Sequence, residues 1–444
     1  MQSRTLAFLL AAITAQAADP APANWPQFRG ADSRGVAASA DLPDRWSETE
    51  NVEWKAEIPG RGWSSPIVWG DRVFLTTVIN HGKTEPLKKG LYFGGDRPEI
   101  PTSEHEWKVM CLGLTTGQVM WEKTVRKGRP LTPIHIKSSY ASETPVTDGR
   151  HAYACFGSVG IFCFDFDGRE VWQHALPASK MRNNWGTSAS PVLHGERLYY
   201  VSDNDEQSYL LALDRHTGKE VVRASRWEKS NWSTPYIWQH DKRTEIITPG
   251  TGAIVSCDLN GKALWKLRGM SSITIATPYA VDDLLYVSSG YVGDKMKPLY
   301  AIKPGASGDL TLPEGQTSSE FIAWSNPGIA PYNPSTLVHN GLLYVLYDRA
   351  LVSCFDARTG AQHYDRQRLE RSAGFTTSPW ASGDRIYCLN EDGVCYVLRA
   401  GKTFELLHQN TLAPDDLCMS TPALVGDRLL IRTDKRLYSI RQPR

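Results

Sequence analysis

Six short loops carry the residue types from which a binding or catalytic site could be built. They read RGWSS (Arg61 to Ser65), KSSYASE (Lys137 to Glu143), NNWGTSAS (Asn183 to Ser190), SNWSTP (Ser230 to Pro235), SSITIATP (Ser271 to Pro278) and PYNPS (Pro331 to Ser335). Large aromatic rings recur in them beside amides, hydroxyls and single cations. Flat rings with a few directional donors suit a planar cofactor or a sugar. The candidate ligand-binding residues are therefore Arg61, Trp63, Lys137, Tyr140, Asn184, Trp185, Asn231 and Trp232. An aromatic at one slot of several repeats can also wedge sheets together, and Ser or Thr can simply cap a turn. Arg61, Lys137, Asn184 and Asn231 are the members that a wedge explains least. No residue stands out as a catalytic base.

Other chemistry finds less support. Asp203-Asn204-Asp205-Glu206 offers the hard oxygen ligands that Ca²⁺ prefers, but EF-hand spacing is absent and a solvated turn is the plainer reading, so no metal ligand is nominated. The chain has no His-Glu-x-x-His, no Gly-x-Ser-x-Gly and no phosphate loop, which leaves zinc, hydrolase and nucleotide chemistry without a local motif. A long insertion from Val78 to Trp107 is followed by an entering loop that contains Lys123, Arg126, Lys127, Arg129, His135 and Lys137. Insertions of this kind are often lids or binding loops, and their charge points to an anionic ligand unless they merely face water.

The elements that must position these loops come from a repeat. A phrase of Ser or Thr, Pro, apolar residues, a Gly/Asp/Asn turn and an apolar strand recurs at Pro66, Pro145, Pro191, Pro235, Pro278, Thr336 (in the proline slot), Pro379 and Pro422. After each copy comes a second phrase, as in LLALDRHTGKEVV from Leu210 and FCFDFDGREVW to Trp172. Each unit thus holds about four short strands of period-two character, and no stretch keeps a helical period. This predicts an all-β protein, an eight-bladed β-propeller of four-stranded antiparallel blades. Trp54 lies on a strand with no phrase before it, while the last copy stops at Leu437 to Ile440. Pairing the N-terminal strand into the last blade would close the ring and satisfy two sheet edges.

Composition agrees with that picture. Of 444 residues 41% are hydrophobic and 22% charged, the values of a globular chain rather than a disordered one. Lys plus Arg at 49 against Asp plus Glu at 48 lacks the basic excess that nucleic-acid binding needs. Arg4, the apolar run Leu6 to Ile13 and Ala15-Gln16-Ala17 read as a cleavable signal over 1–17, too short to span a membrane. No cysteine follows it to carry a lipid, so a periplasmic or extracellular location is expected. Residues 18–49 form an N-terminal extension and 50–444 the propeller. Of the eight cysteines, Cys111, Cys163 and Cys354 share one repeat slot and read as buried strand residues. Cys388 and Cys395 flank a turn and are the best candidates for a cross-hairpin disulfide.

The Leu-Asp-x-x-Thr-Gly phrasing and the Ser/Thr-Pro hairpins resemble the pyrroloquinoline quinone (PQQ) repeat family. Its members are eight-bladed propellers of quinoprotein dehydrogenases and of the outer-membrane assembly propeller lipoprotein. NWPQFRG (Asn24 to Gly30) is similar to an uncharacterised exported branch of that family. The resemblance implies the fold over about residues 50 to 440 and leaves three functions open. One is a propeller that binds a small molecule, a glycan or an envelope protein on its aromatic loop face. Another is an oxidoreductase acting on an alcohol or sugar with PQQ and Ca²⁺ as cofactors, for which Lys137 or Arg61 would be the cation near the quinone. The third is a scaffold for envelope protein assembly.

Overall fold

The computed structural model describes residues 24–37, 41–91, 99–370 and 374–443. The leader expected at 1–17 lies outside them. Eight antiparallel sheets follow one another along the chain, and each inner strand begins directly after a Ser/Thr-Pro slot: Ile67–Trp69, Val146–Thr147, Val192–His194, Tyr236–Gln239, Tyr279–Val281, Leu337–His339, Trp380–Ser382 and Ala423–Val425. We number the blades 1 to 8 in that order. Proline suits this position because a strand's first residue needs no ladder donor. The turn after the inner strand demands left-handed backbone, as in blade 6, where Asn340 (φ 51°) and Gly341 (φ 73°) both have positive φ.

The Val52–Glu57 strand pairs antiparallel with Arg436–Ile440 and becomes the fourth strand of blade 8. The ring is therefore closed by the first strand of the propeller meeting the last. Between blades, outer-strand tryptophans lean on the next blade's turn. Trp54 donates its ring N–H to Leu114 O (3.0 Å), Trp121 to Phe166 O (2.9 Å), Trp172 to Arg215 O (2.8 Å) and Trp324 to Ala357 O (2.9 Å). A glycine lies under each ring, since a Cβ there would strike the indole: Gly360, with φ +73°, would place one 2.7 Å from Trp324. In blade 4 the indole turns inward instead, and Trp265 donates to the buried Glu245 (2.7 Å). A short parallel strand, Gly308–Asp309, there covers the outer edge.

Three expectations are corrected. The strands of blade 1 run further than the repeat suggests, with Val78 opposite Trp107 and Asn80 opposite His105, so the insertion shortens to 81–104. Lys123, Arg126 and Lys127 belong to the outer strand Val119–Gly128 rather than to an entering loop. There Lys127 lies 3.6 Å from Glu106, and Arg126 stands over Trp107 at 5.5 Å. The cysteine pair also fails. Cys388 is opposite Tyr396 and Cys395 opposite Leu389, one register step apart. A single step sends side chains to opposite sheet faces, and the two thiols pack in different core clusters. All eight cysteines are free and buried.

Candidate ligand-binding site

The loops entering the inner strands surround a cavity of about 430 Å³ on the ring axis. Its rings come from Trp63, Trp185 and Trp232 on entering loops, with Tyr332 from another and Tyr291 from a hairpin of blade 5. Trp185 lies 5.7 Å from Trp232 and 5.7 Å from His135 between ring centroids. The Trp63 indole donates to Lys137 O (2.8 Å) and that of Trp232 to Gly186 O (2.6 Å), so each ring is held at its polar edge. Residues 24–37 cross the opposite end of the inner strands, where Trp25 bridges Val68, Thr147 donates to Pro26 O and Val36 bridges Ala381. Phe28 from this segment lines the cavity from that end.

Below the aromatic tier runs a belt of hydroxyls. The residue preceding each proline slot is Ser or Thr in every blade, and all eight side chains reach the cavity. Their backbones link successive blades. Ser65 N–H donates to Thr144 Oγ1 (3.0 Å), Thr144 to Ser190 Oγ (2.9 Å) and Ser190 to Thr234 Oγ1 (3.0 Å). Across the ring, Thr277 N–H donates to Ser335 Oγ (3.0 Å), Ser335 to Ser378 Oγ (2.9 Å) and Ser378 to Thr421 Oγ1 (3.0 Å).

Acidic residues stand behind the wall. Among the described residues no Asp or Glu lines the cavity, whereas Lys137, His135 and Arg349 do. The carboxylates instead brace the loops. Asp348, fully buried, accepts from Tyr332 N–H (2.9 Å) and Asn333 N–H (3.0 Å), and burial raises its pKa despite those bonds. Asp294 accepts from Ser272 N–H (2.6 Å). Glu391 of blade 7 receives Lys137 Nζ (2.7 Å), Thr376 Oγ1 (2.6 Å) and Gly90 N–H (2.6 Å). Lys137 also donates to Gly90 O (2.9 Å), so the blade 1 insertion is tied across the ring to blade 7.

The structure separates the eight residues singled out from sequence into two groups. Trp63, Lys137, Trp185 and Trp232 meet in the cavity. The other four lie outside its lining. Arg61 bonds through its backbone to Val78 and sends its guanidinium to Glu85 O (3.1 Å) on the insertion. Tyr140 packs behind the wall against Trp107 and donates to Thr132 O (2.8 Å). Asn184 closes a single 3-10 turn, Arg182–Asn184, while its neighbour Asn183 faces the cavity. Asn231 is buried and spends its amide on Asp203. The acidic turn is likewise consumed internally: Asp203 pairs with Arg226 (2.7 Å), Asp205 accepts from Ser230 Oγ (2.7 Å) and Glu206 from Lys180 N–H (2.9 Å).

Phe28, His135 as a ring contact, Tyr291, Arg349 and the belt also line the cavity and are not among the eight residues singled out from the sequence. The belt was visible, because the Ser/Thr before each proline slot is part of the repeated phrase. Phe28 had no such signal, since nothing in the repeat places an N-terminal segment under the ring.

The family model described as outer membrane protein assembly factor BamB, a PQQ-repeat family, matches residues 93–224 and 250–442. The crystal structure of BamB from Moraxella catarrhalis is 15% identical, with a TM-score of 0.58 covering 87% of this chain and 96% of that one. Quinohemoprotein alcohol dehydrogenase from Comamonas testosteroni is 11% identical, with a TM-score of 0.57 covering 95% of this chain and 82% of the other. The computationally designed Ika8 protein, 10% identical, reaches a TM-score of 0.54 over 92% of this chain and 99% of its own. At such identities the likeness shows the fold alone. No curated protein matches the chain.

Proposed function

The chain belongs to the PQQ-repeat family described as outer membrane protein assembly factor BamB, and from that premise we propose an exported binding propeller that takes a ring-shaped small molecule in its axial cavity. The observation that carries this reading is the convergence of Trp63, Trp185 and Trp232 on one cavity. Its volume of about 430 Å³ lies within the range of roughly 300 to 1,000 Å³ for small-molecule sites. Export rests on the leader motif, and among the described residues no helix is long and apolar enough to cross a membrane.

A PQQ- and Ca²⁺-dependent oxidoreductase asks for oxygen ligands around the metal and a base beside the substrate hydroxyl. The described cavity wall offers no carboxylate for either task, and Glu391 is engaged by Lys137 behind it. The residues present do not fit the metal, so no reaction step is drawn through it. A scaffold for envelope proteins is a second reading, favoured by Trp227, which stands fully in solvent after the Glu220–Arg226 strand. Exposed tryptophans are common anchors of protein interfaces.

Anilinonaphthalene sulfonate, a fluorescent aromatic anion, tests the cavity directly. Saturable binding is expected, weakened about fivefold by Trp185→Ala through lost ring contact and untouched by Trp227→Ala. Absence of a saturable site, or an equal loss in both variants, refutes cavity binding. Co-purification of an envelope protein that Trp227→Ala abolishes and Trp185→Ala spares would support the scaffold instead.

A further inference from the structure

The blade 1 insertion leaves its sheet at Asn80 and is fastened again two blades away. Blade 8 lies between blades 1 and 7, and the insertion crosses it. Lys89 Nζ donates to Asp416 O (3.4 Å) on the blade 8 entering loop and to Asp392 Oδ1 (3.1 Å) on a blade 7 turn. Gly90 then reaches Glu391 of that same turn. Arg61 steadies the middle of the span at Glu85 O (3.1 Å). His81 to Pro86 and Lys88 are exposed, and no side chain of residues 81–91 joins the buried core of the described residues. Segments with few apolar contacts open at far less cost than the core they rest on. The span is therefore a strap, exposed along most of its length and held at its far end.

The fastening is polar and buried. The Glu391 side chain is 2% exposed and that of Lys137 15%. One carboxylate oxygen of Glu391 accepts Gly90 N–H (2.6 Å), and the other accepts Lys137 Nζ (2.7 Å) and Thr376 Oγ1 (2.6 Å). Lys137 completes the circuit by donating to Gly90 O (2.9 Å). Bonds to a charged partner are the stronger kind, and the ammonium offsets the buried carboxylate. Backbone meets backbone here, since a Cβ on Gly374 would stand 3.3 Å from Gly90 Cα. The same residues border the axial cavity: Gly90, Leu91, Lys137 and Thr376 all line it. Parting Gly90 from Glu391 would remove a piece of that wall. We infer that residues 83–91 are a strap governing passage into the cavity, with Glu391 as its latch. This inference rests on the cavity-binding reading proposed above. A latch that refastens over a bound molecule changes how fast the molecule passes, not how tightly it is held.

Glu391→Gln keeps the shape of the latch and removes its charge. In hydrogen exchange of the full chain, amides of residues 83–91 are expected to exchange about tenfold faster than in the parent, with the blade strands unchanged. Stopped-flow mixing with anilinonaphthalene sulfonate should show association and dissociation both about fivefold faster and an affinity altered by less than about twofold. Lys89→Ala loosens the strap while leaving Glu391 and Lys137 paired, so the two rates should rise together by about twofold without a change in the charge of the wall. Acrylamide, a neutral quencher, reads the same passage with no ligand bound. In a Trp227→Phe background, which removes a fully exposed indole, Glu391→Gln should increase quenching of the cavity tryptophans. Should Glu391→Gln fail to fold, Lys89→Ala decides by the same readouts. Unchanged exchange in residues 83–91 overturns the latch, and faster exchange with unchanged probe rates and quenching overturns the gate. Either result leaves cavity binding standing. If the probe finds no saturable site, the cavity-binding reading falls, and exchange with quenching alone decides whether the strap controls access.

Discussion

Glu143 sits fully buried between blades 2 and 3, accepting from Gly157 N–H (3.1 Å) and Thr187 Oγ1 (2.6 Å). Burial outweighs those bonds and pushes its pKa up from 4.5 to about 6. Below the lower value the group is protonated folded and unfolded alike. Between the two values the unfolded chain gives up its proton while the folded chain keeps it, so stability falls as pH rises and the loss is complete above about 6. The loss is of the order of 2 kcal/mol. Glu143→Gln keeps an acceptor without the charge. Denaturant unfolding at about pH 4 and about pH 7.5 should therefore show the parent losing about 2 kcal/mol relative to the variant. Parallel profiles would show that the carboxyl is not desolvated.

At the scale of elements, the blade junctions depend on glycines whose two costs can be separated within blade 6. Gly341 and Gly360 share a φ of +73°, yet a Cβ meets nothing within 4 Å at Gly341 and lies 2.7 Å from the Trp324 ring at Gly360. Gly341→Ala should cost only the backbone term, about 1 kcal/mol. Gly360→Ala should cost about 2 kcal/mol more by displacing the indole that joins blades 5 and 6. Unfolding midpoints of the two variants check this, and equal losses would remove the ring contact from the account of blade packing. The tryptophan phrase was legible in sequence because turn and strand lie within one repeat. The blade 4 exception was not, because Glu245 reaches Trp265 only when neighbouring strands bring them together.

For the whole molecule, closure and the floor of the cavity come from the same end of the chain through different segments. The Val52–Glu57 strand shuts the ring, and residues 24–37 lie beneath it. Arg29 anchors the second segment from a fully buried site, donating to Thr336 O (2.8 Å) and standing over Tyr279 at 5.3 Å. Burial lowers its pKa to about 10. A chain beginning at Asp41 keeps the closing strand but loses Phe28 and Arg29. It should retain its far-ultraviolet circular dichroism, expose the cavity tryptophans to iodide quenching and bind anilinonaphthalene sulfonate several-fold more weakly. Unchanged quenching would mean that the segment does not close the axis.

Residues 50 to 440 announced eight blades and their closure because period-two patterning, proline slots and turn glycines act over a few residues each. The same local code placed Ser or Thr at the head of every inner strand. What it left undetermined is which way a loop side chain faces once eight blades surround it. Trp63, Trp185 and Trp232 turn into the cavity while Tyr140 turns behind it, Asn231 is spent on Asp203, and Cys388 and Cys395 part to opposite faces. Those outcomes depend on partners far away in the chain, and only packing the blades around one axis brings such partners within reach.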